Sequence, residues 1–156
     1  MTLPASFPLS SSQIWNEIGN PLNGQGARVF NITHPWLLAL AHKGGAPVSF
    51  SDFLGKTGRF DGNLAMSSPI PTFTPPGNFF GGAWGECGGD GTNSFAYLGI
   101  GVGTSWTGNI LVSNNTTGVS HIFLPNAKNS WRYTGAYAAD FFRAGQIDNF
   151  TIIPAN

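Results

Sequence analysis

A chain of 156 residues holds one domain, or one small domain with a short appended segment. Its hydrophobic share, 41%, is enough for a core, but only 9% of its residues are charged, where an ordinary soluble domain carries about 25%. Seven basic and seven acidic residues cancel, and the basic ones (Arg28, Lys43, Lys56, Arg59, Lys128, Arg132, Arg143) are scattered, which argues against nucleic acid as a partner.

Disorder is excluded from the other side, because disordered chains lack aromatics and this one has 13 Phe and five Trp. So little charge suits a subunit covered by its neighbours, and a homo-oligomer or a tight hetero-assembly is expected. No apolar run reaches 18 residues, so no membrane insertion is expected. Met1-Thr2-Leu3-Pro4 does not open a signal peptide, and the single Cys87 allows no intrachain disulfide. The expectation is synthesis in a reducing cytoplasm. The Asn-x-Ser/Thr matches at Asn31, Asn114, Asn115 and Asn149 are then ordinary turn and strand usage.

Taken in chain order, the fold class expected is α+β, mainly β. Residues 1–58 form a short-helix docking module, 59–92 a Gly/Pro-rich packed connector, and 93–156 an antiparallel β-sandwich of jelly-roll or Greek-key kind, either separate from 59–92 or one unit with it. Ser10, Ser11 and Ser12 can cap a helix carrying Ile14, Trp15 and Ile18, which Gly19-Asn20-Pro21 stops. Leu22–Ala27 reads as loop, and Val29–Ile32 as a short extended piece. Thr33 is the expected cap of a second helix, with Pro35 in its first turn and Gly44-Gly45 at its end. Val48 and Phe50 alternate with Ser49 as a short strand would. Ser51 then caps a brief turn, Asp52-Phe53-Leu54, with Gly55 as a left-handed exit.

From Ser67 to Gly91, four Pro and seven Gly sit among Phe73, Phe79, Phe80 and Trp84, a texture of packed irregular chain. Phe95–Gly103 alternates, with Leu98, Ile100 and Val102 on one face and a bare face of Gly99, Gly101 and Gly103 that another backbone can approach. Ile110–Val112 and Val119–Leu124 flank a five-residue loop and predict a hairpin. Trp131–Tyr137 and Ile147–Ile153 are further strands, with a helical turn at Ala138–Phe142.

Three segments of the first half resemble, in order and spacing, a module of bacteriophage tail and virion structural proteins. Ser12-Gln13-Ile14-Trp15-Asn16-Glu17-Ile18-Gly19 is similar to its opening S-Q-I-x-x-E-[LI]-G. Trp36–Ala41 stands where the module has an A-x-R-x-L-A helix. Val48-Ser49-Phe50-Ser51-Asp52-Phe53-Leu54-Gly55-Lys56 is similar to I-S-[ML]-S-D-F-Y-G-K. The departures are Leu54 for Tyr and the missing Arg of the second helix, and the likeness covers roughly the first third of the chain. It implies a non-enzymatic structural role in a virion, most naturally in a tail tip, baseplate or fibre, with other virion proteins as partners.

The residues offer little chemistry. Cys87 in Gly85-Glu86-Cys87-Gly88-Gly89 reads as a buried thiol, although His121 is a conceivable base. His34, His42 and His121 lack metal-ligand spacing, so neither metal nor cofactor is expected. Asp61-Gly62-Asn63 and Gly89-Asp90-Gly91 read as turns rather than calcium loops, for want of further carboxylates. The spacing of Glu86, Asp90, Asp140 and Asp148 does not favour glycoside hydrolysis. The rival to a structural role is a carbohydrate-binding module for a host-surface glycan, with Trp106, Trp131 and Tyr133 as stacking candidates, joined by Trp84, Tyr137, Asn126 and Asn129. The same aromatics serve equally as core or interface anchors. Head decoration is a structural variant. The docking candidates of residues 1–58 are Trp15, Trp36, Phe50, Asp52, Phe53 and Gly55, expected to fasten the module to the chain's own sandwich or to a neighbouring protein.

Overall fold

The computed structural model describes residues 2–19 and 31–156. The segments Leu22–Ala27 and Val29–Phe30 lie outside them. The chain is α+β, mainly β. Two short helices, α1 (Ser11–Glu17) and α2 (Pro35–Leu40), and a 3-10 turn at Phe50–Phe53 precede nine strands. These are β1 (Phe60–Ala65), β2 (Thr72–Phe73), β3 (Asn78–Phe79), β4 (Gly82–Gly89), β5 (Phe95–Ile100), β6 (Asn109–Asn114), β7 (Val119–Ala127), β8 (Ser130–Thr134) and β9 (Ile147–Ala155).

The strand order is β1-β9-β6-β7-β8-β5-β4-β2, every pair antiparallel, with β3 beside β4. Strands β5 to β8 make a Greek key, since β6, β7 and β8 run side by side and β5 returns to lie beside β8. The sheet folds over itself at β7. Val119–Asn114 to Phe123–Ile110 pair it with β6, and from Leu124 onward it pairs with β8 instead. One strand therefore belongs to both layers. Alternation sets which side chains enter the core: Ala96, Leu98 and Ile100 from β5, Ile110 and Val112 from β6, Phe123 from β7, Phe150 and Ile152 from β9. Between the layers lies an aromatic cluster in which Phe142 meets Phe141 at 4.2 Å and Phe73 at 5.1 Å between centroids.

The glycine face of β5 does what its pattern predicts. A Cβ on Gly99 would stand 2.8 Å from the Glu86 carbonyl, and one on Gly101 3.1 Å from that of Ala83, so β4 crosses where side chains are absent. Val102, by contrast, lies beyond the strand and is exposed. The β6–β7 loop is one residue shorter than expected, because Asn114 pairs with Val119. Asn114 is buried, and its Oδ1 accepts from the amides of Thr116 and Thr117 to shape the turn.

Residues 59–92 form one unit with 93–156, the second of the two arrangements expected. They contribute β1 to β4 and close the sandwich against β9 and β5. Asp61-Gly62-Asn63 is likewise strand, not turn. Its polar residues face outward, where Asp61 accepts from Thr151 Oγ1 at 2.9 Å and Asn63 from Asn149 at 2.9 Å. Phe60 and Leu64 alone mark its buried phase.

The cap of α1 falls among the serines expected for it, and two other local expectations shift by one or two residues. Ser10 caps α1 in a capping box, its Oγ accepting from Gln13 N while Ser10 N donates to Gln13 Oε1 at 2.8 Å. His34, not Thr33, caps α2: its Nδ1 accepts from Trp36 N, and the helix ends at Ala41. Ser49 rather than Ser51 opens the 3-10 turn, so Phe50 belongs to the turn and Val48-Ser49-Phe50 form no strand. Asp52 closes the turn from inside by accepting from Ser49 N at 2.9 Å, with Lys43 Nζ 3.4 Å away. Gly55 leaves it at φ +68°, the left-handed exit expected. Phe53 is fully buried in this turn. Phe53→Ala is expected to lower stability by about 3 kcal/mol and Asp52→Ala by about 1 kcal/mol, both read from denaturant melts. Equal costs for the two would contradict the assignment of Phe53 as the anchor.

Candidate functional site

The described parts of the N-terminal module, residues 2–19 and 31–58, fold onto the chain's own sandwich, and the segments carrying the resemblance meet there. Glu17, 1% exposed, sits at the end of α1, and its Oε1 accepts from the amides of Gly58 at 2.9 Å and Arg59 at 3.3 Å. Arg59 returns a bond from its guanidinium to the Asn16 carbonyl at 2.9 Å and pairs with Asp61. The glutamate of the first segment thus fastens the chain just beyond the Gly55-Lys56 end of the third. A Cβ on Gly58 would touch Leu40, the Glu17 carbonyl and Phe80 at 3.1–3.2 Å, so only glycine lets these pieces close. Above them Trp36 stands edge-on to Trp106 at 5.2 Å, and Ser105 Oγ donates to the Ala39 carbonyl at 2.5 Å. Trp15 is buried beside His34, at 5.6 Å between rings, and Phe50 is half-buried against the same core. All six docking candidates therefore lie in the module that seats on the chain's own sandwich.

Burial acts strongly on Glu17. Loss of solvent raises its carboxyl from 4.5 to about 7, although the amides of Gly58 and Arg59 and the Arg59 charge pull it down. A folded pKa above the unfolded one means stability that is full below about pH 4.5 and lost as pH rises through about 7. The loss amounts to roughly 3 kcal/mol at about 1.4 kcal/mol per unit. His34, His42 and His121 are lowered by burial and act in the opposite sense in the same window. The measurement is therefore a difference. Glu17→Gln should gain on wild type as the pH goes from 5 to 8, by several degrees in Tm. Parallel melting curves across that range would show that Glu17 is ionised throughout.

The carbohydrate candidates are largely spent inside. Trp106 is 5% exposed and Trp131 2%. Their indole N–H groups donate to the carbonyls of Asn109 at 3.0 Å and Gly108 at 2.7 Å. Little of either ring is left for a sugar, although both line a depression of about 330 Å³ together with Lys128 and Asn129. Tyr133 turns inward onto His121 at 4.3 Å between rings, and its hydroxyl reaches the Ala136 carbonyl at 3.4 Å. Trp84 and Tyr137 are core residues. Asn129 shapes the β7–β8 turn at φ +61°.

The chemical candidates stand apart from one another. Cys87 is buried, its Sγ directed at the Gly85 and Gly99 carbonyls, and burial pushes the thiol up to about 12. His121 stacks on Tyr133 and Phe141 instead. Asp90 ties its own turn by accepting from the amides and hydroxyls of Thr92 and Ser94. Those bonds, led by Ser94, hold its carboxyl low against the desolvation that would raise it. Asp148 is wholly buried, and the Arg143 guanidinium holds it low, helped by Asn114 Nδ2 at 2.9 Å. Among the described residues, no three of His, Cys, Asp or Glu gather as metal ligands. No described helix is long and apolar enough to cross a membrane.

Besides a depression of about 570 Å³ beside α2, the surface carries a groove of about 560 Å³ over β7 and β8. Ile122 (45% exposed), Leu124 (56% exposed) and Pro125 wall it, Asn109, Asn126 and Asn156 rim it, and Arg132 lies in its floor. The Arg132 guanidinium rests on the Phe95 ring, 4.0 Å from its centroid. No family model, curated protein or solved structure matches the chain. The groove therefore has to be read from its own chemistry. Ile122, Leu124 and Pro125 give it an apolar side, which suits a protein partner, while Tyr133 and Thr134 also line it. The sequence held one sign of it: β7 is apolar in both phases, Phe123 inward and Ile122 and Leu124 outward, so both of its faces ask for cover.

Proposed function

We propose that this chain is a non-enzymatic structural subunit of a virus particle, in a bacteriophage tail tip, baseplate or fibre, assembling with copies of itself and with other virion proteins. The observation that carries the proposal is how the resembling segments are used. Glu17, Ser49, Asp52, Phe53 and Gly55 all serve to fold and seat the N-terminal module. A motif spent wholly on architecture belongs to a part that is built in, and the low charge and apolar groove suit a surface that neighbours cover. Head decoration is the structural variant of the same proposal. Mass spectrometry of purified particles of the virus or prophage that encodes the chain should find it in fixed stoichiometry. Copies in threes or sixes indicate the tail, and hundreds indicate head decoration or a tail tube. Absence from the particles would refute the proposal.

A further inference from the structure

We propose that the groove over β7 and β8 receives the tip Ala138-Ala139-Asp140 of a second copy of this chain, with Arg132 paired to the partner copy's Asp140. The inference rests on the reading of the chain as an assembly subunit and adds the contact by which copies join.

Arg132 carries the first half of the argument. Its Nε is buried without an acceptor, and among the described residues its guanidinium makes no ion pair. Phe95 beneath it and the aliphatic walls beside it leave the group partly stripped of water and fixed in direction. An unanswered guanidinium in an apolar setting favours a carboxylate, which it grips with two parallel N–H donors.

The inventory of carboxylates carries the second half. The chain has seven acidic side chains, all among the described residues. Glu17 is held by backbone amides, Asp52 by Ser49 and Lys43, and Asp61 by Arg59. Glu86 accepts from the Tyr97 hydroxyl at 2.6 Å, Asp90 from Thr92 and Ser94, and Asp148 from Arg143. Asp140 alone makes no hydrogen bond or ion pair through its carboxylate. It is exposed with Ala138 and Ala139, a small apolar tip bearing one negative charge. The tip is rigidly based, because Phe141 and Phe142 next to it are core residues and Asn114 Nδ2 donates to the Phe141 carbonyl at 2.9 Å. A fixed donor in an apolar groove and a fixed acceptor on an apolar tip are complementary in shape and charge. They lie on different patches of one chain, so the contact closes reciprocally in a two-fold dimer or runs head-to-tail into a ring or an open file.

The test is a charge exchange followed by sedimentation velocity over a range of concentrations. Wild type should self-associate. Arg132→Glu and Asp140→Arg should each weaken association by about tenfold or more, and the two together in one chain should restore it to within about threefold. Leu124→Asp should weaken it as well, without rescue by Asp140→Arg. Thermal melts control for folding. If Arg132→Glu fails to fold, Asp140→Arg on its exposed tip still decides: unchanged association overturns the pairing. A wild-type monomer at the highest concentration, or a double variant no better than the singles, also overturns it. A monomer that nevertheless enters particles would sink this contact and leave the assembly reading standing. Absence from particles would sink the assembly reading itself.

Discussion

Removal of residues 1–58 should leave a chain that no longer melts cooperatively, binds hydrophobic dye and aggregates on concentration. Phe80, Trp106 and Ile153 of the sandwich lie directly against the module: Phe80 and Leu40 close around Gly58, Trp36 meets Trp106, and Gly19 approaches Ile153 so closely that a Cβ there would stand 2.8 Å from its Cδ1. Stripping cover from large apolar side chains costs about 1.5–3 kcal/mol each. Three of them consume most of a total stability that is only about 5–15 kcal/mol in a typical domain. Circular dichroism and sedimentation of residues 59–156 check this. A truncated chain that melts in one sharp step near the parent temperature would mean that the module is an accessory and the sandwich stands alone.

Arg143→Ala should cost about 3–5 kcal/mol, the range for stripping the partner from a buried charge. Asp148 has no exposed side-chain surface, and two bonds from Arg143 together with one from Asn114 are what offset its loss of water. Without Arg143 the carboxylate is left with Asn114 alone and loses the largest cause of its low pKa. Asp148→Asn should be milder, because the Arg143 side chain that it strands is 35% exposed and keeps water. Adding Asp148→Asn to Arg143→Ala should recover part of the loss, since the buried charge is then gone. Urea denaturation of the three variants orders them. A double variant less stable than Arg143→Ala alone would place the cost in packing rather than in charge.

The sandwich half was legible because its strands alternate cleanly. Leu98 and Ile100, Ile110 and Val112, and Phe150 and Ile152 each hold one phase, and the glycines of β5 announced the close approach of β4. Strand β1 was not legible. Phe60-Asp61-Gly62-Asn63-Leu64 has the composition of a turn, and only its pairing with β9 makes its polar phase a solvent face. The clasp was half legible. Asp52 and Gly55 follow local rules of capping and left-handed exit, which spacing reveals, although the cap itself falls on Ser49 and not on Ser51. Glu17 does not, because its partners Gly58 and Arg59 are amides more than 40 positions away. The tryptophans misled for a related reason: an indole in a β-rich chain looks the same in sequence whether it stacks on a ligand or donates to the carbonyl of Gly108 or Asn109. Arg132 could not be singled out, since its isolation depends on which carboxylates the fold has already used.

Strand β7 gives the fold a mechanical property. Its first half is bonded to β6 and its second half to β8, so a single length of backbone is stitched into both layers. A pull that tries to slide one layer over the other loads this strand along its axis, where its bonds must fail together in shear rather than peel one after another. The fully buried Phe123 marks the crossing point and resists rotation there. A fold so built carries tension from one layer to the other without parting.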